Sequence, residues 1–325
     1  MTRLPSILAL DPVEETRYIG EWIRRTLSRT LRRRGIVIGI SGGVDSAATA
    51  ALCVAAIGAD RVYALLMPDR ESSESSVRLG RLVAESLGVS YRTVDITSTL
   101  ESLGVYRDRD QIVASIDPEY DPTIGFKIAI RSNDSLVSYF DLVTEVAGRQ
   151  RRFRLDAADY LGLVAATNYK QRIRKSIEYH HADLLNFAVV GTPNRLEYDQ
   201  GFFVKGGDGA ADLKPIAHLY KSQVYEIARH LGVPQEVLAE NPTTDTYSLD
   251  QSQEEFFFGI PLQQLDVCLF GLNNRLSVKE TADHANLPCE QVELAWIRIE
   301  QKRRSTSYLH IAAELARRVP EVGQA

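Results

Sequence analysis

An apolar run, Ile36-Val37-Ile38-Gly39-Ile40, passes without interruption into Ser41-Gly42-Gly43-Val44-Asp45-Ser46 and then into an alanine-rich stretch that reaches about Ile57. An unbroken apolar run suits a strand buried on both faces of a parallel sheet. The hexapeptide then turns the chain into a helix. Its glycines let the backbone approach a phosphate without a Cβ in the way. The amides of Gly42, Gly43 and Ser46 can point into one concavity at a helix N-terminus, where the helix dipole also favours anions. Ser41 and Ser46 add hydroxyl donors, and Gly39 and Val44 complete the nucleotide-binding frame. Asp45 would repel bare phosphate, so its presence points to Mg²⁺ between carboxylate and phosphates. A lone glycine pair with a capping serine would need no ligand. The full hexapeptide after a strand points to a nucleotide. No GK[ST] follows, so the loop is not of the Walker type.

The flanking sequence supplies the architecture. Asp11-Pro12 is a helix start, an N-cap acceptor followed by proline at the first helical position. Ile19, Ile23, Leu27 and Leu31 then line one helical face, with Gly35 as the expected stop. Val62 to Met67 reads as a second strand, Ser73 to Leu87 as a helix and Tyr91 to Ile96 as a third strand. This alternation predicts an α/β fold with a doubly wound parallel sheet of Rossmann-like type. Residues 105–152 break the rhythm. Phe126–Ile130, Val137–Val146 and Arg149–Leu155 read as strands, so the segment is predicted to be a β-rich insertion within a single domain spanning 1–325. The insertion leaves the sheet at a strand's carboxyl end, which predicts a flap or dimer-contact element over the substrate side. The α/β pattern resumes with a helix from about Asp156 to Leu185 and a strand, Phe187 to Val190. A loop over 191–217 and a helix from Leu219 to Leu231 follow. Residues 261–325 read as a helical C-terminal region.

Bulk properties exclude several classes. Acidic residues number 43 against 38 basic ones, so nothing in the balance suggests nucleic acid. The run Arg32-Arg33-Arg34 reads as a solvated helix end that complements the helix dipole. Cys53, Cys268 and Cys289 form no CxxC pair, which argues against a zinc site or disulfide framework and fits a reducing cytoplasm. No stretch has the ~18 uninterrupted apolar residues of a membrane span, and the N-terminus lacks a signal-peptide core.

The loop resembles the pyrophosphate loop of the ATP pyrophosphatases with adenine nucleotide alpha hydrolase-like folds, which release pyrophosphate and leave AMP on the substrate. Downstream segments narrow the resemblance. Thr167-Asn168-Tyr169-Lys170-Gln171-Arg172-Ile173-Arg174 looks like the N-x-K-x-R-x-R helix of NAD synthetases. Gly191-Thr192-Pro193-Asn194-Arg195-Leu196-Glu197 matches their G-T-x-N-x-x-E. The segment from Gly201 to Ile216, with Lys205, Asp208 and Asp212, resembles their G-x-x-T-K-x-G-D-x-x-x-D-x-x-P-I. Lys221, Asn241-Pro242-Thr243, Gln251, Glu254 and Gly259 continue the correspondence in order.

That resemblance implies an ammonia-dependent NAD synthetase: deamido-NAD, ATP and ammonia give NAD, AMP and pyrophosphate. It implies that Asp45 and Glu197 hold Mg²⁺, and that Thr192, Lys221 and Thr243 contact ATP. Asn168, Arg172, Lys205 and Asp212 are implied for the dinucleotide, with Asp208 nearby. Asp45, Lys221 and Asp208 would then carry catalysis. Alone, Lys205 and Lys221 would read as solvated lysines and Asp208 as a turn residue. A homodimer is also implied. No membrane or nucleic-acid partner is expected. Few residues precede the first strand and none is cysteine, so free ammonia, or ammonia from a separate subunit, is expected as the nitrogen source. The sequence departs from the family at its C-terminal H-K-R segment, where Ser307-Tyr308-Leu309-His310 stands. His310 reads there as an ordinary polar residue. It departs also at Thr243-Thr244-Asp245-Thr246-Tyr247-Ser248, where the family has P-T-A-x-L, and in the insertion, which the short bacterial enzymes lack. Two alternatives stay open: a ligase of the same scaffold amidating another carboxylic acid, and an inactive nucleotide-binding partner.

Overall fold

Asp11 caps the first helix, α1 (Pro12–Arg25), by accepting from the amides of Val13 and Glu14. A computed structural model describes residues 4–131, 139–146, 148–240, 247, 249 and 260–322. Thr243, Gln251, Glu254 and Gly259 lie outside the described residues. A π-helical turn, Thr26–Leu31, extends α1 and ends at Arg32, which takes the left-handed conformation with φ 53°. The stop is therefore Arg32 and not the expected Gly35. Gly35 is needed for close approach instead, because a Cβ there would stand 2.4 Å from the Arg61 carbonyl oxygen.

The α/β frame follows as β1 (Ile36–Gly39), α2 (Val44–Ile57), β2 (Val62–Leu66), α3 (Glu74–Ser86) and β3 (Ser90–Thr93). Next come α4 (Thr97–Ser102), α5 (Val105–Ile116), β4 (Phe126–Arg131), β5 (Tyr139–Val146) and β6 (Arg149–Arg154). The chain returns through α6 (Ala157–Leu185), β7 (Ala188–Val189), α7 (Arg195–Gln200), α8 (Lys221–His230) and α9 (Gln235–Ala239). It closes with α10 (Leu262–Asn273), α11 (Val278–Ala285) and α12 (Cys289–Thr306).

The parallel sheet has the order β3-β2-β1-β7. Both faces are covered, because side chains alternate along the buried strands. Ile36 and Ile38 join Leu52, Ala48, Val224 and Ile23 in one cluster. Val37 turns the other way and meets Leu65, Val189, Leu100, Tyr106 and Ala182. The chain leaves β1 toward β2 and β3 on one side and returns as β7 on the other. The crevice between the carboxyl ends of β1 and β7 is thus the topological switch point, where open α/β sheets bind ligands. The loops after these strands are residues 40–43 and 190–194.

The insertion differs from its predicted form at its start. Residues 105–116 form helix α5, and only β4, β5 and β6 make an antiparallel sheet. That sheet packs Phe126, Ile128 and Leu142 against Val113, Leu155 and Leu163, so it leans on the first half of α6. The predicted loop 191–217 also contains a helix, α7. Its sequence Asn194-Arg195-Leu196-Glu197 is a capping box, with both reciprocal hydrogen bonds formed. Helices α10 to α12 build a separate apolar cluster around Leu265, Leu269, Val292 and Ile299, joined by Leu196 and Leu8. Among the described residues no helix is long and apolar enough to cross a membrane.

Candidate active site

The loop 41–46 forms the floor of the crevice. Gly42 has φ +88°, and a Cβ on it would lie 2.5 Å from the Ser76 carbonyl oxygen, so glycine is required there. Gly43 is the N-cap of α2 and supplies no side-chain acceptor. The first-turn amides of α2 therefore keep their donors for a ligand. Ser46 Oγ donates to the Gly43 carbonyl at 2.9 Å and accepts from the Ser41 amide at 3.3 Å, which closes the loop on itself.

Above the loop, three elements bring charge together. Lys221, the first residue of α8, forms an ion pair with Asp45. Asn194 donates from Nδ2 to Asp45 Oδ1 at 3.1 Å. Glu197 is fixed by the α7 capping box, its carboxylate accepting from the Asn194 amide at 3.1 Å. Burial, and then the nearby charge of Asp45, push the Glu197 carboxyl up to about 8, although Lys221 and the Asn194 amide pull against this. Lys221 is raised as well, but for a lysine that favours the charged form. Burial opposes its charge, but Asp45 and Glu197 outweigh burial and hold it above the ordinary lysine range. Two carboxyl groups and one ammonium are thus held at the mouth of the loop 41–46.

The start of α8 is held from a second direction. Asp266 of α10 is fully buried. It accepts from the Lys221 amide at 3.3 Å, the Ser222 amide at 2.8 Å and Ser222 Oγ at 2.6 Å. Burial raises this carboxyl to about 6 against the pull of those bonds. Motif reading missed Asp266 because it lies in a region without a family signature.

A cleft of about 540 Å³ joins these groups to the rest of the predicted set, a volume suited to a small-molecule ligand. Gly39, Ser41, Gly42, Gly43, Val44, Asp45, Ser46, Asn168, Arg172, Thr192, Glu197, Lys205, Asp208 and Lys221 all line it. Asp208 closes the turn 204–209 by accepting from the Val204 amide at 2.8 Å, so it is a turn residue and a cleft residue at once. Burial raises its carboxyl, with Lys175 and Arg174 pulling it back. Arg172 donates to the Lys205 carbonyl at 3.3 Å. Lys205 Nζ donates to the carbonyls of Tyr308 and Ile311, each at 2.8 Å. His310 packs edge-on against Tyr198 and Phe203. The segment standing in place of H-K-R is therefore strapped to the cleft, and Tyr308 and Leu309 line it.

Asp212 lies outside that lining. Its carboxylate accepts from the Val189 amide at 2.7 Å and so extends the edge of β7. Sequence reading also passed over Lys175 and Glu178, a buried pair at 2.6 Å on the cleft wall. Lys175 lies three residues beyond Arg172 and Glu178 three beyond Lys175, and that i,i+3 succession along α6 is the signal that marks them.

The NAD synthase family model matches residues 15–116 and 137–308. The gap between the two matched parts falls within the insertion. The NH(3)-dependent NAD(+) synthetase of Rhizobium meliloti is 52% identical over 318 residues, covering 97% of this chain and 95% of that protein. The NH(3)-dependent NAD(+) synthetase of Thermotoga maritima is 37% identical over 244 residues, covering 74% of this chain and 80% of that protein. Among solved structures, the NH3-dependent NAD synthetase from Campylobacter jejuni shares the fold with a TM-score of 0.61 at 21% identity, covering 95% of this chain and all of that one. A cleft built at the switch point from the pyrophosphate-type loop, and a family model matched over most of the length, lead to one conclusion: the chain belongs to the NAD synthase family.

Proposed function

We propose that the protein is an ammonia-dependent NAD synthetase, which adenylates the carboxylate of deamido-NAD with ATP and transfers ammonia to it. The observation that carries this reading is the convergence of loop 41–46, Asp45, Glu197 and Lys221 with Asn168, Arg172 and Asp208 in one cleft. In the first step a substrate carboxylate oxygen attacks the α-phosphorus of ATP, and the bond from that phosphorus to pyrophosphate breaks. Negative charge grows on the phosphoryl oxygens and on the departing group. Lys221 and the amides and hydroxyls of loop 41–46 stabilise it from fixed positions, and Thr192 adds a hydroxyl. In the second step ammonia attacks the acyl carbon and the bond to AMP breaks. Asp208, whose carboxyl is raised by burial, would hold ammonium or take its proton.

Asp45 and Glu197 would hold Mg²⁺. Among the described residues no group of three or more histidine, cysteine or acidic side chains gathers as a metal cluster. One or two carboxylates completed by phosphate oxygens are the usual Mg²⁺ arrangement with nucleotides. Burial and then repulsion from Asp45 raise Glu197, a carboxyl whose charged form a cation there would favour. When bound, the ion would supply positive charge against the phosphates. Asn168, Arg172, Lys205 and Asp212 are assigned to the dinucleotide and Thr243 to ATP; of the first four, Asp212 alone is outside the cleft lining.

The chain is proposed to act as one NAD synthetase unit, with 261–325 as its helical C-terminal region and 105–152 as an insertion beside the acyl half of the cleft. Support for that placement is the packing of the inserted sheet on α6, whose Tyr160, Thr167 and Asn168 line the cleft. Exposed Leu161 and Tyr169 on α6 offer apolar surface to a second copy, in keeping with a homodimer. Unpaired Cys53, Cys268 and Cys289 suit a cytoplasmic location.

Release of AMP and pyrophosphate with deamido-NAD, against a panel of other carboxylates, tests the reaction. Ammonium should support turnover and glutamine alone should not. Burial pushes the Cys53 thiol up to about 12 and that of Cys268 up to about 11, so neither is a thiolate near neutral pH. Robust activity of the purified chain with ammonia-free glutamine would count against this reading.

A further inference from the structure

Lys175 and Glu178, the ion pair of the cleft wall, are 5% and 6% exposed. The pair uses one carboxylate oxygen: Lys175 Nζ donates to Glu178 Oε2 at 2.6 Å. The other oxygen, Oε1, accepts no hydrogen bond among the described residues, and it keeps accessible surface. Its position is marked by β1. A Cβ built on Gly39 would stand 2.9 Å from Oε1, and Gly39 and Glu178 both line the cleft. A carboxylate oxygen withdrawn this far from water is costly unless a donor meets it. Here the cleft can deliver the donor.

The helix carries the pair toward Asp208. Gln171, Lys175 and Glu178 follow one another at i, i+4 and i+7 along one face of α6. The turn 204–209 lies against Gln171: a Cβ on Gly207 would stand 2.9 Å from Gln171 Cβ, and Arg172 donates to the Lys205 carbonyl. Asp208 therefore comes from that turn to the same wall of the cleft. The charge of Lys175 pulls on both carboxyls, and Asp208 pushes on Glu178. We propose that Glu178 Oε1 and the Asp208 carboxylate together hold the ammonium that the reaction consumes. Lys175 is the post that keeps Oε2 occupied and Oε1 turned to the cleft. Ammonium is a small cation with a donor in every direction, so it can bridge acceptors that arrive from a helix and from a turn. The inference rests on the reaction proposed above and adds to it a residue that no motif marked.

Two variants test it. Glu178→Gln removes the charge and keeps the shape. Lys175→Met combined with Glu178→Leu removes the whole pair, strands no charge and leaves the net charge of the cleft as it was. For wild type and both variants, KM for ammonium chloride is measured at constant ionic strength, beside KM for ATP and for deamido-NAD. Exchange of labelled pyrophosphate into ATP with deamido-NAD reads the adenylation step in the absence of ammonium. A hydrogen bond to a charged group corresponds to about a tenfold change in affinity. KM for ammonium should rise about tenfold in both variants, while exchange and the other two KM values stay near those of wild type. A wild-type KM for ammonium in the double variant would overturn the inference. So would a rise in KM for deamido-NAD in place of that for ammonium, because Oε1 would then meet the dinucleotide. Loss of exchange with every KM moving together would make the pair structural and would also overturn it. If wild type itself shows no exchange with deamido-NAD, the proposed reaction falls first and this inference falls with it.

Discussion

The cleft end around Asp45 and the cluster around Asp69 are both built from carboxylates and cations withdrawn from water, and they reach opposite states. At the cleft, Glu197 is pushed up to about 8 by burial and by Asp45, and Lys221 is the cation between them. Around Asp69, charges are matched. Lys170 bonds Asp69 at 3.2 Å and Glu71 at 2.6 Å, and Arg174 bonds Asp69 at 3.0 Å. Arg109 pairs with Glu71 and Asp110, and Tyr120 of the insertion donates to Asp110 at 3.0 Å. Burial alone would raise Asp69, but Lys170 and Arg174 outweigh it and hold its carboxyl below the ordinary range. The first cluster has two carboxyl groups to one ammonium and opens on the cleft. The second is closed and ties β2, α5, α6 and the insertion together. Buried charge that a ligand must complete is functional, and buried charge that completes itself is structural.

The largest test of that contrast is Asp45→Asn. The substitution removes charge at the anion loop while keeping shape. Pyrophosphate release should fall by about a thousandfold, in line with the loss of fixed electrostatic stabilisation. The ligand-free thermal midpoint should hold or rise, because Glu197 loses its repelling neighbour. Undiminished pyrophosphate release would refute the role of Asp45. A collapse of the fold would show that the Asp45–Lys221 pair is structural, and the contrast would dissolve.

The converse substitution is Lys170→Met. It leaves Asp69 and Glu71 buried and short of a cation, a change that destabilises by about 3 kcal/mol or more. Urea denaturation should show the loss, and the remaining folded enzyme should keep its KM for ATP. A variant of unchanged stability with impaired ATP binding would place Lys170 in the site and not in the frame.

How much of this was legible in sequence depends on what each segment does with its charges. The strand, loop and helix from Ile36 to Ile57 were readable because β1 is buried on both faces and the loop carries its own glycine signature. Asp45, Glu197 and Lys221 were legible as members of ordered motifs, and the structure brings all three to one cleft. Helix α5 was not legible. Its buried face includes Val105, Tyr106 and Val113 but also Arg109, and a charge at a core-facing position hides the helical period. Arg109 is tolerated there because Glu71 and Asp110 answer it, and neither partner is deducible from spacing. The stop of α1 at Arg32 was missed for a related reason, since glycine is the ordinary left-handed terminator. Asp266 was invisible because it acts from a helix whose local sequence is ordinary.

The smallest effect expected concerns Asp266, which shares features of both clusters: it is buried, as Asp69 is, yet its carboxyl is raised like Glu197. The ordinary carboxyl value is 3.8, and burial lifts Asp266 to about 6 in the folded protein. Below about pH 3.8 the group is protonated in both states and adds no pH dependence. Between 3.8 and 6 the unfolded chain gives up the proton and the folded chain keeps it, so stability contributed by this group falls as pH rises. Above 6 both forms are ionised and the loss is complete. Asp266→Asn does not titrate and lacks this decline. Its amide also presents donors toward Ser222, a mismatch that costs about 1 kcal/mol at every pH. Thermal midpoints measured from pH 4 to pH 7 should therefore show a wild-type advantage over the variant that shrinks as pH rises. Other carboxyls titrate alike in both proteins and cancel in the difference. Turnover should fall severalfold in the variant, because the first turn of α8 that carries Lys221 loses its anchor. Parallel stability curves would mean that Asp266 is not raised. Unaltered turnover with the expected stability pattern would mean that the anchor steadies the fold without positioning Lys221.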